Sequence, residues 1–324
     1  MAQALYPIII AMGRMIIPRA GDVVVAVGEK RVKLTNLHKP FWPDITKGEL
    51  IQYYVDVSPW LLPHLHDRAM VMKRYPNGAA GDFFFMKRTP SPRPPWLETV
   101  KIAHHEEKVI EFPMVQDLPS LMWCINLGCI DLNQWYARAD DVDRPDYLHF
   151  DLDPGEASFA RVKETALLLE KTLRGIAMPS FVKTSGQKGV HVYVPIKRGP
   201  TQKQVWAAAK TIAVTLARQY PELMTTEYVR ARRPARRVLV DYNQNRWGST
   251  LASIYSVRPT PSATVSTPVT WKELPRVELG DFTLRNVPRR LARVGDLWAP
   301  LAGPDDDARR FDLGRFLPDD QPSG

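Results

Sequence analysis

Cysteine is nearly absent from this chain: Cys124 and Cys129 are the only two in 324 residues. They lie in a segment that reads as a helix, where a spacing of five places them on different faces. Neither a disulfide framework nor a zinc site is indicated, and this usage suits a reducing cytoplasm. Long apolar runs are missing too. Tyr6-Pro7-Ile8-Ile9-Ile10 and Met15-Ile16-Ile17 are apolar, but Gly13-Arg14 separates them and no basic region precedes them. Neither a signal peptide nor a membrane span is therefore expected. Residues 1–21 read as a poorly ordered extension or an edge strand, with Met12 and Met15 as alternative starts. No internal repeat is found. Acidic charge is in deficit, with 35 Asp and Glu against 44 Lys and Arg, a net charge of +9 and a pI near 9.5. That balance leans toward a polyanionic partner such as nucleic acid. The hydrophobic fraction of 44% and charged fraction of 24% are otherwise ordinary for a soluble globular protein.

Turn residues and periodicity divide what remains. Residues 22–34 read as two strands about a turn at Gly28-Glu29. Thr46, with Glu49 three residues on, opens a helix that carries Leu50, Tyr53, Tyr54 and Val57 on one face. Met70–Tyr75 and Asp82–Lys87 read as strands separated by Pro76-Asn77-Gly78, and Thr89–Pro95 as a proline-rich loop. Helical periodicity returns over Leu118–Cys129, over Phe159–Arg174 with Gly175 as its stop, and over Gln202–Gln219. Between the last two lies a hairpin over Phe181–Pro195. An arginine run, Arg230 to Arg237, leads into the strand Val238–Tyr242, and the end from Gly303, with Asp305-Asp306-Asp307 and Asp319-Asp320, reads as a solvated acidic tail. Helices and hairpins mix without regular alternation, which predicts an α+β arrangement and not a doubly wound parallel sheet.

Three segments carry candidate chemistry. In His149-Phe150-Asp151-Leu152-Asp153-Pro154-Gly155, period two projects Asp151 and Asp153 from one strand face while Phe150 and Leu152 turn to a core. Adjacent carboxylates repel unless a cation or proton lies between them, so the pair suits Mg²⁺ or Mn²⁺, although Asp-x-Asp also occurs in plain surface loops. In Lys183-Thr184-Ser185-Gly186-Gln187-Lys188-Gly189-Val190-His191, two glycines let backbone amides approach an anion, and Ser185, Lys188 and His191 can donate to phosphate oxygens. An ordinary glycine hairpin with a solvated lysine is the alternative. Asp241, ending an apolar strand, is either a third metal ligand or a turn former.

In this order the three match the active-site plan of the archaeo-eukaryotic primase superfamily. Val32–Pro43, Lys73–Gly78, Asp151–Gly155, Thr184–His191 and Val240–Asn245 together resemble the polymerase domain of bacterial ligase D and its stand-alone relatives, over about residues 22–300. The resemblance implies a single two-lobed domain: an N-terminal α/β module over about 22–140 and a catalytic module with an RRM-like sheet over 141–300. It implies that Asp151, Asp153 and Asp241 hold two divalent cations, Mn²⁺ or Mg²⁺, and that Ser185, Lys188, His191, Gln244 and Arg258 bind the incoming nucleoside triphosphate. It further implies a pocket for a downstream DNA 5′-phosphate at Asn36, Lys39 and Lys47, and template contacts at Lys73, Arg74, Phe84 and Phe85. For Phe83-Phe84-Phe85, period two turns the middle ring away from the outer two, so at least one is expected in the core.

The implied activity is template-dependent nucleotide addition, ribonucleotides preferred, at short gaps or broken ends in DNA repair. A separate ligase and a Ku-like protein are the implied partners, a monomer is expected, and the compartment is the nucleoid-associated cytoplasm. With no ligase lysine motif in view, a stand-alone enzyme is expected. Departures are Asp131-Leu132-Asn133-Gln134-Trp135 where the family commonly has a histidine, and Ile254 where it often has proline. The competing readings are a non-catalytic end-binding module that recruits a ligase or Ku, and a nuclease or nucleotide-sugar transferase built on Asp-x-Asp.

Overall fold

The computed structural model describes residues 5–6, 9–11, 14–18, 21–104, 108–303 and 310–317. It begins with β1 (Leu5–Tyr6), β2 (Ile9–Ala11) and β3 (Arg14–Ile16); β2 pairs with β3, and β1 runs parallel to β4 (Val23–Val27). β4 forms the expected hairpin with β5 (Lys30–Leu34) about Gly28, whose φ of 58° is the left-handed turn that glycine permits. A ribbon of β6 (Pro40–Trp42) and β7 (Ile45–Thr46) leads into α1 (Lys47–Leu65). Thr46 accepts from the Glu49 amide and Glu49 accepts from the Thr46 amide, a reciprocal cap that fixes where the helix starts. Next come β8 (Met70–Arg74), β9 (Phe84–Met86), the ribbon β10 (Thr99–His104) and β11 (Lys108–Pro113), α2 (Leu118–Asn126) and β12 (Cys129–Gln134); β8 lies between β12 and β9.

The second half holds β13 (Tyr147–Asp153), α3 (Phe159–Gly175), β14 (Phe181–Thr184), β15 (Val190–Pro195), α4 (Gln202–Gln219), β16 (Met224–Thr225), β17 (Val238–Asp241) and β18 (Pro268–Val269). These strands make one six-stranded sheet in the order β16-β17-β13-β15-β14-β18, with β13 near its centre. Alternation sorts its faces. Leu148, Phe150, Leu152, Val190, Val192, Val194, Val238 and Val240 turn to one side and form a buried core with Val162, Leu169, Val205 and Leu216 of α3 and α4. The other face carries polar residues and looks toward the first module. A second core joins α1, α2, β4, β5 and β8, and the returning chain at Ile254–Val265 and Leu284–Leu301 packs into it. Two short helices, α5 (Val287–Val294) and α6 (Ala299–Ala302), complete that return. Mixed helices and largely antiparallel sheets are the α+β class that the pattern predicts.

Three expectations change, and at the start β1 lies at the edge of the sheet β1-β4-β5, one of the two readings given above. Cys129 starts β12 and does not belong to α2, because Gly128 at φ 80° ends the helix; both cysteines are free and buried. Gly175 is the last residue of α3, and Ala177 at φ 57° makes the left-handed exit. The acidic runs at 305–307 and 319–320 lie outside the described residues, but residues 310–317 between them are no solvated tail. Phe311 bridges to Ile196, Arg310 and Leu313 are buried, and Arg310 donates to the Asp146 carbonyl at 3.1 Å. At the start, where Met12 is outside the described residues, Ile17 is buried and its amide donates to Gln52 at 2.7 Å.

Candidate active site and phosphate-binding surface

The register of the main sheet aligns four titratable residues in one row. Lys183 on β14 pairs with His191 on β15, His191 with Asp151 on β13, and Asp151 with Asp241 on β17. Residues directly opposite across antiparallel strands share a face, so all four project toward the first module. Asp153, two residues on, joins that face. A cleft of about 600 Å³ opens above this row; Asp151, Asp153, Ser185, Lys188, His191, Gln244, Arg258, Lys73 and Phe85 line it.

The carboxylates are electrostatically loaded. Burial, then Asp241, then Asp153, push the Asp151 carboxyl up to about 7. Burial also raises Asp241, against hydrogen bonds from the Gln244 amide at 3.0 Å and the Asn243 backbone at 2.8 Å. Asp153 is engaged by Arg233 at 3.1 Å and accepts from the Gly155 amide. Hard oxygen donors crowded in this way suit Mg²⁺ or Mn²⁺. Among the described residues, though, no three such side chains converge as a ready cage, and Asp153 is paired with Arg233.

The anion wall is the turn between β14 and β15. Gly186 takes φ 71°, and a β-carbon there would fall 2.6 Å from the Arg258 side chain and 2.7 Å from the Ser266 amide, so only glycine fits. The amides of Gln187 and Gly189 do not open outward as expected. They donate to the Ser185 hydroxyl oxygen at 3.1 and 3.0 Å, which leaves that hydroxyl's own hydrogen for a ligand. Arg258 is held at three points: the Ser185 carbonyl at 2.8 Å, the Gln187 side chain at 3.1 Å and the buried Asp131 carboxylate at 3.3 Å. Lys188 is exposed at the rim.

β8 and β9 divide this cleft from a second basic site. Lys73 faces the cleft, its ammonium 3.9 Å from the Phe83 ring centroid and 5.6 Å from that of Phe85. Arg74, its neighbour, faces the opposite way, stacks on Phe84 at 5.2 Å and donates to the Leu127 carbonyl at 2.6 Å. Grouped together from the sequence, Lys73 and Arg74 therefore serve different surfaces. All three phenylalanines are exposed, at 51, 43 and 57%, and none enters the core. The rings stack on these cations, on Tyr75 and on one another instead.

Behind it, Lys39 and Lys47 meet. The Lys47 amide donates to the Lys39 carbonyl at 2.8 Å, and Asn36 sits beside them at φ 55°. Lys47 is buried, not a solvated surface lysine, with its ammonium on the Thr35 carbonyl at 2.7 Å. Burial first, then Lys39, lower it to about 8. Arg74 adds to this positive field. A buried ammonium whose charge is opposed by neighbouring cations is the complement of an anion.

A model of the LigD primase-polymerase domain matches residues 46–298. The chain belongs to the LigD primase-polymerase family. LigD of Mycolicibacterium smegmatis, described as a multifunctional non-homologous end joining protein, is 32% identical over 277 residues, 84% of this chain and 36% of that protein. The bifunctional non-homologous end joining protein LigD of Bacillus subtilis is 30% identical over 253 residues, 77% of this chain and 40% of its own length. The chain thus spans well under half of these LigD proteins. The solved polymerase domain of Mycobacterium tuberculosis ligase D in complex with DNA superposes with a TM-score of 0.79 at 31% identity, over 85% of this chain and 99% of that domain.

Within this LigD-type domain the cleft also takes residues that the motif reading passed over. Asp131 and Asn133 line it, and Lys183 lies beneath it. Lys183 was accessible to reasoning: it lies on the first strand of the expected hairpin, and hairpin pairing places it opposite His191, hence on the same face. Asp131 and Asn133 reach the cleft through long-range pairing that the sequence does not announce: β12 lies beside β8 with Asp131 opposite Lys73, and Ser253 and Ser256 bond its Leu132.

Proposed function

We propose that this chain transfers nucleotides from triphosphates to a primer 3′-hydroxyl, directed by a template, at short gaps or broken DNA ends in repair. The observation that carries this reading is the row His191–Asp151–Asp241 flooring a cleft whose wall is the Ser185–Gly189 turn, with a second cationic site across one hairpin. Ser185, Lys188, His191, Gln244 and Arg258 grip the triphosphate. Arg258 is preorganised by Asp131, so it need not reorient as charge develops on the transferred phosphate. Asp151, Asp241 and a released Asp153 would hold Mn²⁺ or Mg²⁺, which when bound neutralises phosphate charge and acidifies the primer hydroxyl. Asn36, Lys39 and Lys47 seat the downstream 5′-phosphate; Phe84 stacks on Arg74 beside that seat, while Phe83 and Phe85 offer ring faces to bases near the nucleotide. Ribonucleotides are the preferred substrates in this reading, and the enzyme works as a monomer with a ligase and a Ku-like bridge.

One observation favours a second reading, a non-catalytic end-binding module: Arg233 occupies Asp153 where a cation would lie. Primer extension on gapped DNA with a downstream 5′-phosphate separates the two. With Mn²⁺ and either ribo- or deoxyribonucleotides, wild type is expected to add templated nucleotides and the Asp151→Ala/Asp153→Ala variant none. If neither protein extends the primer while both bind the gap, the end-binding reading stands in its place.

A further inference from the structure

Among the described residues Tyr255 is the one aromatic residue with left-handed backbone, at φ 56°, and it stands three residues before Arg258. The hydrogen bonds around it show what that turn does. Its amide donates to the Ser266 carbonyl at 2.7 Å, and the Ser266 amide donates to the Ser256 carbonyl at 2.9 Å. Two consecutive residues thus oppose one, the pattern of a β-bulge whose first residue is left-handed and ordinarily glycine. Past the bulge Val257 pairs with Val265, and the Arg258 amide donates to the Thr264 carbonyl at 2.7 Å. Without the extra residue the phase would slip by one, and Arg258 would trade faces with Val257, which is buried in the first core. The bulge is what leaves Arg258 on the wall of the cleft.

A bulky side chain is costly in this conformation and persists only where its surroundings over-determine it. Here they do. The Tyr53 hydroxyl of α1 donates to the Tyr255 carbonyl at 2.8 Å, and the Tyr255 hydroxyl donates to the Asp296 carboxylate at 2.7 Å. Asp296 is itself fixed by the Trp298 amide at 2.9 Å and lies 2.7 Å from His64 of α1. Tyr54, next on α1, accepts from the Val257 amide at 2.9 Å and donates to the Ile130 carbonyl at 2.7 Å, while the Ser256 hydroxyl accepts from the Leu132 amide at 3.0 Å. These contacts lay the bulged segment along β12 and bring Arg258 within 3.3 Å of Asp131. We propose that Tyr255 is a positioning residue: held left-handed by Tyr53 and Asp296, it forms the bulge that turns Arg258 toward the triphosphate. This rests on the nucleotide-binding reading of the cleft. Glycine would make the same turn without steric cost; tyrosine adds the tether to Asp296, so the first module sets the aim of the arginine. Tyr255 is buried and lies outside the cleft lining, so it acts through Arg258.

The Nε–H group of Arg258, buried beside Asp131, reports the arginine's place by ¹⁵N NMR on the ligand-free protein, assigned by its loss in Arg258→Lys. Tyr255→Phe and Tyr53→Phe keep their rings and lose one hydroxyl each. In both, that signal is expected to shift and to exchange with water at least about tenfold faster. Affinity for a non-hydrolysable nucleoside triphosphate falls by about tenfold, the scale of one hydrogen bond to a charged group. In an Arg258→Ala background the same two substitutions change affinity by less than about twofold, since what they place is already gone. Thr46→Ala, a helix-cap loss outside the cleft, moves neither reading. An Nε–H signal unchanged in both folded variants overturns the proposal, as does an equal loss of affinity with and without Arg258. A displaced signal, together with a triphosphate affinity that Arg258→Ala leaves unaltered, supports the positioning of Arg258 by Tyr255, and it is then the nucleotide-binding reading that falls.

Discussion

Asp151 stands between His191 and Asp241 on neighbouring strands, and no sequence-local rearrangement can separate it from either. Asp151→Asn is therefore expected to fold and yet lose more than about a thousandfold in nucleotide addition, the scale of several kcal/mol of transition-state stabilisation; single-turnover extension measures it. Lys47 supplies a pH dependence. Its ammonium is lowered to about 8 by burial and Lys39, against an ordinary 10.5. The preference for 5′-phosphorylated over hydroxyl-ended gaps should be complete below about pH 8 and decline above it as Lys47 loses its proton, as paired binding titrations would show. Stability moves the other way: the unfolded lysine keeps its proton through this window while the folded one releases it, so Lys47 makes the native state more stable as pH rises through about 8.

At the scale of elements, what the sequence disclosed depended on whether an element announces itself locally. The start of α1 did, because Thr46 and Glu49 exchange hydrogen bonds within one turn. Thr46→Ala should cost about 1 kcal/mol in urea unfolding. The β14–β15 hairpin was also legible, and the structure adds why its second glycine matters: a β-carbon at Gly189 would lie 2.4 Å from the Leu152 carbonyl of β13. Gly189→Ala should destabilise by about 1–3 kcal/mol and raise the KM for nucleotide together, since the turn and the carboxylate strand are forced apart. Elements assembled from distant segments stayed hidden. The contact of Arg258 with Asp131 joins residues 127 positions apart, and the face on which Arg74 lies follows from β8 being sandwiched between β12 and β9. Period two could say only that Lys73 and Arg74 diverge, not what each would meet. The phenylalanine triplet misled for a related reason. Hydrophobic residues imply a core by default, yet three rings stay exposed here with Lys73 and Arg74 stacked on them.

For the whole molecule, the net charge of +9 predicts tight, salt-sensitive binding to DNA. The structure divides the arginine run into parts: Arg233 holds Asp153 and Arg237 pairs with Glu222, whereas Arg232 and Arg236 are exposed. Arg232→Ala/Arg236→Ala should lower the slope of log affinity against log salt by about 2, one for each lost phosphate contact, and an unchanged slope would remove the loop from the DNA surface. Taken together, the proposed nucleotide cleft and the Lys39–Lys47 cluster lie on opposite faces of the β8–β9 hairpin, which belongs to the three-stranded sheet β12-β8-β9 and is anchored through β8 to the first core. Such a hairpin is a gauge. On the proposed assignment, its thickness sets how many unpaired template bases fit between the nucleotide being added and the 5′-phosphate ahead of it. If both are filled at once only across a short break, extension should run fastest on the last missing nucleotide and slow as the gap lengthens, and the enzyme would finish breaks better than it opens long tracts.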